Sequence, residues 1–174
     1  ESMFCIHELM LDPANLPALA RILSKALAGA QASQARTDKP STTAAGVDRP
    51  SATTVTVSAQ TLTQWVRSLW LAAGSSDQEA QLVATQLVSA DLSGHESHGV
   101  GMLPLYVNAL LAGELKLNQS LSILADTGSM VTVDACRGVG QSMAHQTMTL
   151  AIERAQRHGV AVVGMRNAHH IGRV

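Results

Sequence analysis

Between Asp91 and Gly99 the chain reads DLSGHESHG, which sets His95, Glu96, Ser97 and His98 between two glycines in a sequence where only 14% of residues are charged. An imidazole beside a hydroxyl can hold or relay a proton near neutral pH, because an unperturbed histidine has a pKa of about 6.5. A second polar knot, Asn167-Ala168-His169-His170, follows an apolar run near the C-terminus. Six of the seven histidines lie after Leu92 and four belong to these knots, so acid–base work is expected where the two meet in space.

Other chemistries fit less well. The metalloprotease pattern H-E-x-x-H places its histidines four apart on one helix face, whereas His95 and His98 are three apart beside glycines, so no metal site is assigned. Ser97 and His98 are adjacent, neighbours in sequence are not expected to face each other, and no G-x-S-x-G elbow surrounds them; acyl transfer is disfavoured. A solvated loop without chemistry stays open for HESH, and a structural strand cap stays open for His169 and His170. Gly138-Val139-Gly140 would need its third glycine at Met143, so it reads as a tight turn into a helix rather than a dinucleotide fingerprint. His145 and His158 are taken as surface or boundary residues, and Met143 and Met148 as core filler.

The elements that must position these knots follow from caps and periodicity. Ser58 can cap a helix in which Leu62, Trp65, Val66, Leu69 and Trp70 recur at three and four residues, and Gly74 ends it. Ser76 and Glu79 have capping-box spacing before a second helix whose expected stripe is Leu82, Val83, Leu87, Val88 and Leu92, stopped at Gly94. HESHG then falls where a helix gives way to a turn. Pro104 suits the first turn of a third helix running to Gly113. Ser120–Ala125 and Met130–Val133, joined by Asp126-Thr127-Gly128, read as an antiparallel hairpin. Gly138-Val139-Gly140 opens a fourth helix ending at Gly159, and Val160–Met165 reads as a buried strand leading to the second knot. Upstream, Ala14–Ala32 is a helical candidate and Ser33–Thr56 a linker or disordered stretch rich in Ser, Thr, Ala and Pro.

Composition excludes several classes. Hydrophobic residues make up 46% of the chain, which argues for large buried faces. A formal net charge of −1 and 2% aromatics leave no footprint for nucleic acid. No apolar run reaches the roughly eighteen residues of a membrane span. Cys5 and Cys136 are too far apart in sequence to suggest a disulfide framework, so a reducing, cytoplasmic compartment is expected.

From Val57 onward the sequence resembles the malate/L-lactate dehydrogenase family of NAD(P)-dependent oxidoreductases, which is unrelated to the Rossmann-type lactate dehydrogenases. The segments that carry the resemblance are ADLSGHESHGVGMLPLYV from Ala90 to Val107, VDACRGVGQ from Val133 to Gln141, and GVAVVGMRNAHHIGRV from Gly159 to Val174. SHGVGM and NAHHIGR are most similar to its hydroxycarboxylate dehydrogenase branch. The resemblance implies hydride transfer between NAD or NADP and a 2-hydroxy or 2-keto acid. It implies His170 as proton acceptor, Ser97 and His98 as a relay, and His98, Gly172, Arg173 and Val174 as cofactor contacts. Many members carry an arginine a few residues after SHG where this chain has Met102, so the partner of the substrate carboxylate is expected elsewhere.

The expected fold is mixed α/β, with a helical N-terminal layer at 57–113 and the first part of a non-Rossmann, largely antiparallel nicotinamide-binding domain at 114–174. Residues 1–56 are expected to be a disordered or spurious extension with a linker, to which no function is assigned. The family pattern continues past Val174 and the chain begins at Glu1, so it is expected to be an N-terminal piece of a cytoplasmic enzyme, homodimeric when complete. The alternative is an inert protein serving at most as a binding or dimerisation module.

Overall fold

The computed structural model describes Arg21 and residues 56–173. The expected helix over Ala14–Ala32 (Arg21 apart), nearly all of the linker, and Val174 lie outside the described residues.

Helix α1 (Ala59–Ala73) starts where Ser58, in extended conformation, accepts the Thr61 amide on its hydroxyl at 3.1 Å, and it ends on Gly74 at φ 104°. Its face of Val66, Leu69 and Trp70 is buried. Helix α2 (Asp77–Leu92) follows after a short turn, with Ser76 Oγ accepting the Glu79 amide at 3.3 Å. The reciprocal arm of the expected capping box is not made. Ser76 N donates instead to Asn118 Oδ1 at 2.6 Å, while Glu79 turns inward and accepts from Ser75 Oγ at 2.9 Å and from the Asn118 amide at 3.0 Å. A residue about forty positions later thus takes over a local cap, and it locks the start of α2 to the segment entering the sheet.

Helix α3 (Leu103–Leu111) has Pro104 in its first turn, where a missing N–H costs no helical bond. The three helices enclose one apolar core in which Trp70, Leu87 and Tyr106 are almost wholly buried, joined by Leu115 and Val139 from the later segment. Trp70 and Tyr106 meet with ring centroids 6.3 Å apart, so the core also fixes the ring that carries a hydroxyl toward the second knot.

Strands β1 (Ser122–Asp126) and β2 (Met130–Asp134) form the expected antiparallel hairpin, with an irregularity between Ile123 and Ala125. Helix α4 (Gly140–His158) then carries the chain across, and β3 (Val162–Arg166) pairs parallel to β2, giving the order β1-β2-β3. Arg154 of α4 holds Asp126 of β1 through both carboxylate oxygens, at 2.6 and 3.3 Å. The mixed α/β architecture is as expected, but burial differs at several apolar positions. Val160 and Val162 are 63% and 57% exposed, so the segment read as a buried strand is an edge strand paired on one side only. Leu92 and Met148 are also more than half exposed, because a helical stripe is buried only where another element covers it. No helix among the described residues is long and apolar enough to cross a membrane.

Candidate active site

The first knot is built by the way α2 ends. Gly94 at φ 76° reverses the chain, His95 N returns to Ala90 O at 2.9 Å, and Glu96–His98 form a single 3₁₀ turn. Asp91 clamps the turn from below, its Oδ2 accepting the Val100 amide at 2.8 Å. A side chain at Gly99 would overlap the Asp91 carboxylate, so the close approach depends on glycine. Burial raises the Asp91 pKa, with Glu96 adding to it, while the Val100 amide pulls the other way.

The second knot hangs on Asp134 at the end of β2. Its Oδ2 accepts Asn167 Nδ2 at 2.8 Å and Arg166 Nε at 3.1 Å, and its Oδ1 accepts the Cys136 amide at 2.7 Å. Chiefly the Cys136 amide, with Asn167 and Arg166, holds Asp134 below the usual carboxylate range against the cost of desolvation. Backbone bonds from Ala135 N to Arg166 O and from Arg137 N to Asn167 O complete the clamp at 2.9 and 2.8 Å. Asn167 turns the chain at φ 54°, and the two histidines that follow point back toward α3.

The knots meet. The rings of His98 and His170 lie 5.2 Å apart between centroids, tilted by 40°. Ser97 Oγ is 2.9 Å from His98 Nδ1, which overturns the expectation that these neighbours would not face each other. In a 3₁₀ turn successive side chains diverge by about 120°, and a short serine hydroxyl can still reach the ring nitrogen nearest its own backbone. His95 donates from Nδ1 to Ser93 O at 3.1 Å.

Two residues that sequence reasoning did not single out complete the site. Tyr106 Oη lies 2.8 Å from His170 Nδ1, and Gln141 Nε2 donates to that same hydroxyl at 2.9 Å. By periodicity Tyr106 falls on the apolar face of α3, and Gln141 directly follows Gly138-Val139-Gly140, so neither side chain stands out locally. One signal was available, since Tyr106 is the sole tyrosine of the chain. His169 packs edge-on against the Tyr106 ring at 5.5 Å.

Gly172, at φ 82°, packs its backbone against the Gln141 side chain, where a Cβ would come within 3.2 Å of Nε2. Arg173 reaches back to α2, donating to Ser93 Oγ at 2.9 Å. Between α2 and α4 lies an open cavity of about 410 Å³ lined by Gln86, Ser89, Gln141, Ala144, Ile171 and Arg173. Of the sequence-derived site residues, Ser97, His98 and His170 are therefore brought together. Gly172 packs beside Gln141, Arg173 lines the cavity with Gln141, and Val174 is outside the described residues.

Burial is the main cause that lowers the pKa of both His169 and His170; for His170 the neighbouring His98 and His169 add to it, while Glu114 opposes it for His169. Both imidazoles thus favour the neutral form more in the folded chain than at their ordinary value of 6.5. Their stabilisation is complete above the unfolded pKa and is lost as pH falls through the depressed folded values. The urea midpoint is expected to fall between about pH 7.5 and about pH 5, with a shallower fall in a His169→Ala, His170→Ala double variant. Equal slopes for the two proteins would contradict the assignment.

The malate/L-lactate dehydrogenase family model matches residues 57–174. Hydroxycarboxylate dehydrogenase B of Escherichia coli O157:H7 is 46% identical over 116 residues, covering 67% of this chain and 32% of that protein. Among solved structures, malate dehydrogenase from Pyrococcus horikoshii OT3 superposes with a TM-score of 0.65 at 32% identity, over 68% of this chain and 34% of that one. Sulfolactate dehydrogenase from Methanocaldococcus jannaschii gives 0.63 at 32% identity, over 66% and 33%. The chain thus spans about a third of the length of the relatives it matches.

Proposed function

The chain belongs to the malate/L-lactate dehydrogenase family, and from that premise we propose that its two histidine knots are the proton-handling part of a nicotinamide-dependent 2-hydroxy acid oxidoreductase. The observation that carries this reading is His170, a half-buried imidazole with a lowered pKa, whose Nδ1 is engaged by Tyr106 at 2.8 Å. Nε2 is the ring nitrogen left to meet a substrate oxygen. A neutral imidazole in that position accepts the hydroxyl proton of a 2-hydroxy acid, and in the reverse direction returns it to the oxygen of a 2-keto acid.

The cavity beside Gln141 fits one end of a nicotinamide dinucleotide. Arg173 supplies a cation at its rim, Ala144 and Ile171 an apolar wall, and Gln141 Oε1 is buried without a partner. NAD or NADP, when bound, supplies the hydride acceptor for the carbon bearing the hydroxyl. Gly172, Arg173 and Val174 are proposed to hold it together with His98, and Ser97 orients the His98 ring through Nδ1. The substrates proposed are malate, lactate or related acids, in keeping with the malate, hydroxycarboxylate and sulfolactate dehydrogenases named among the relatives. A cytoplasmic homodimer is the proposed setting.

A second reading is a module that binds or dimerises without turnover. It is favoured by the apolar surface at Val160, Val162 and Ile152, each more than half exposed. Titration of the purified 174-residue chain with NADH, followed by fluorescence, separates the two when a series of 2-keto acids is then added. Saturable binding with oxidation of NADH is expected. Binding without oxidation would favour the module, and no binding at all would remove the cofactor site.

A further inference from the structure

Tyr106 Oη has one proton to give and two lone pairs to offer, and two neighbours contend for them. Gln141 Nε2 already occupies one lone pair at 2.9 Å. His170 Nδ1 lies at 2.8 Å, a distance that suits either direction of donation. If Tyr106 gives its proton to Nδ1, neutral His170 carries its own proton on Nε2 and presents a donor. If Tyr106 accepts from Nδ1–H, His170 presents the Nε2 lone pair, and the tyrosine proton needs another acceptor. Tyr106 is 1% exposed, so water does not serve that need in the closed core.

The unpartnered atom beside it is informative. Gln141 is 5% exposed, and its Oε1 has no hydrogen-bond partner, a state that carries a desolvation cost. Rotation of that amide by half a turn exchanges Oε1 for Nε2 and gives Tyr106 the acceptor it lacks. We propose that Gln141 is a positioning residue whose amide orientation sets the tautomer of His170 through Tyr106. With Nε2 toward Tyr106, neutral His170 is the Nε2–H tautomer; with Oε1 toward Tyr106 it is the Nδ1–H tautomer, whose Nε2 lone pair can accept a hydroxyl proton, and the imidazolium so formed is what returns that proton to a keto oxygen. The Gln141 orientation thereby selects the tautomer able to act as base in the reaction proposed above, on which this functional meaning rests. The tautomer control itself is a property of the substrate-free chain.

The test is nitrogen-15 NMR of the histidine side chains in the 174-residue chain without cofactor, with the His170 resonances identified by their loss in His170→Ala. In the wild type, neutral His170 is expected mainly as the Nε2–H tautomer. Gln141→Glu, in its ionised form, can only accept from Tyr106 and is expected to convert His170 to Nδ1–H. Gln141→Met, which neither donates nor accepts, is expected to shift the tautomer ratio by roughly fivefold, the size of one net hydrogen bond. In a Tyr106→Phe background the Gln141 substitutions are expected to have no effect on that ratio. Should the buried glutamate prevent folding, the methionine variant and the Tyr106→Phe background still decide the matter. A wild-type His170 found mainly as Nδ1–H, or a ratio unchanged by the Gln141 substitutions, overturns the proposal. Nicotinamide binding plays no part in this measurement, so its failure and the failure of the oxidoreductase reading are separately visible.

Discussion

His170→Ala is expected to cut oxidation of a 2-hydroxy acid by roughly 10²–10⁴-fold, the range that a positioned general base contributes, while nicotinamide affinity stays within about twofold. The loss falls on kcat, because the imidazole acts on the hydroxyl proton and does not line the cavity beside Arg173. In the wild type the rate should decline as pH drops through the His170 pKa, which burial and the neighbouring histidines hold below 6.5. That acid limb should vanish in the variant. Steady-state rates against pH, together with fluorescence titration of NADH, check both parts. Retained turnover with an unchanged acid limb would remove His170 from the proton step. His98→Ala makes the contrast, since its ring is proposed to touch cofactor as well as His170, and affinity and rate should fall together.

The parts of this site that were legible in the sequence are those set by local bonds. Ser58 and Gly74 bound their helix through groups within four residues, and so their roles could be read directly. Gly94 and Pro104 were equally plain, and together they bracket the turn that carries His98. The Ser76–Glu79 box failed halfway because Asn118, far along the chain, takes both ends of its reciprocal arm, the Ser76 amide and the Glu79 carboxylate. The exposure of Val162 was hidden for a similar reason: an apolar run records a preference for burial but not whether a covering layer is present.

The meeting of His98 and His170 was expected from residue type and from the family resemblance, but the group that joins them to the core was not. Tyr106 looks like one more apolar position on α3, and its hydroxyl acquires a purpose only when Asn167 turns the chain at φ 54° and brings His170 back over it. Gln141 is similar. Its amide is informative because Tyr106 stands 2.9 Å away across a contact thirty-five residues long. Local periodicity carries no record of such pairs.

Gly140→Ala is the substitution expected to do most damage for its size. Gly140 opens α4 directly beneath the second knot, and a Cβ there would overlap the His170 carbonyl and lie 2.5 Å from His169 O. Both obstacles are backbone atoms, held by the bond from His169 N to Gly138 O at 3.3 Å and by the Asp134 clamp behind them. No side-chain rotation relieves the overlap, so the loop must move outward by about 1 Å or more. Overpacking of this kind costs about 1–3 kcal/mol, and a misplacement of about 1 Å at a reacting group can cost on the order of 10²-fold in rate. The bond between Tyr106 and His170 would open, and with desolvation reduced the His170 pKa should return upward toward 6.5. Gly164→Ala provides the control on the adjoining strand, since a Cβ there meets Thr132 Oγ1 at 4.0 Å, an ordinary contact. Urea unfolding and NMR titration of His170 in the two variants should therefore diverge. If Gly140→Ala kept the wild-type midpoint and the wild-type His170 titration, the start of α4 would not be the surface that sets the position of the loop carrying His169 and His170.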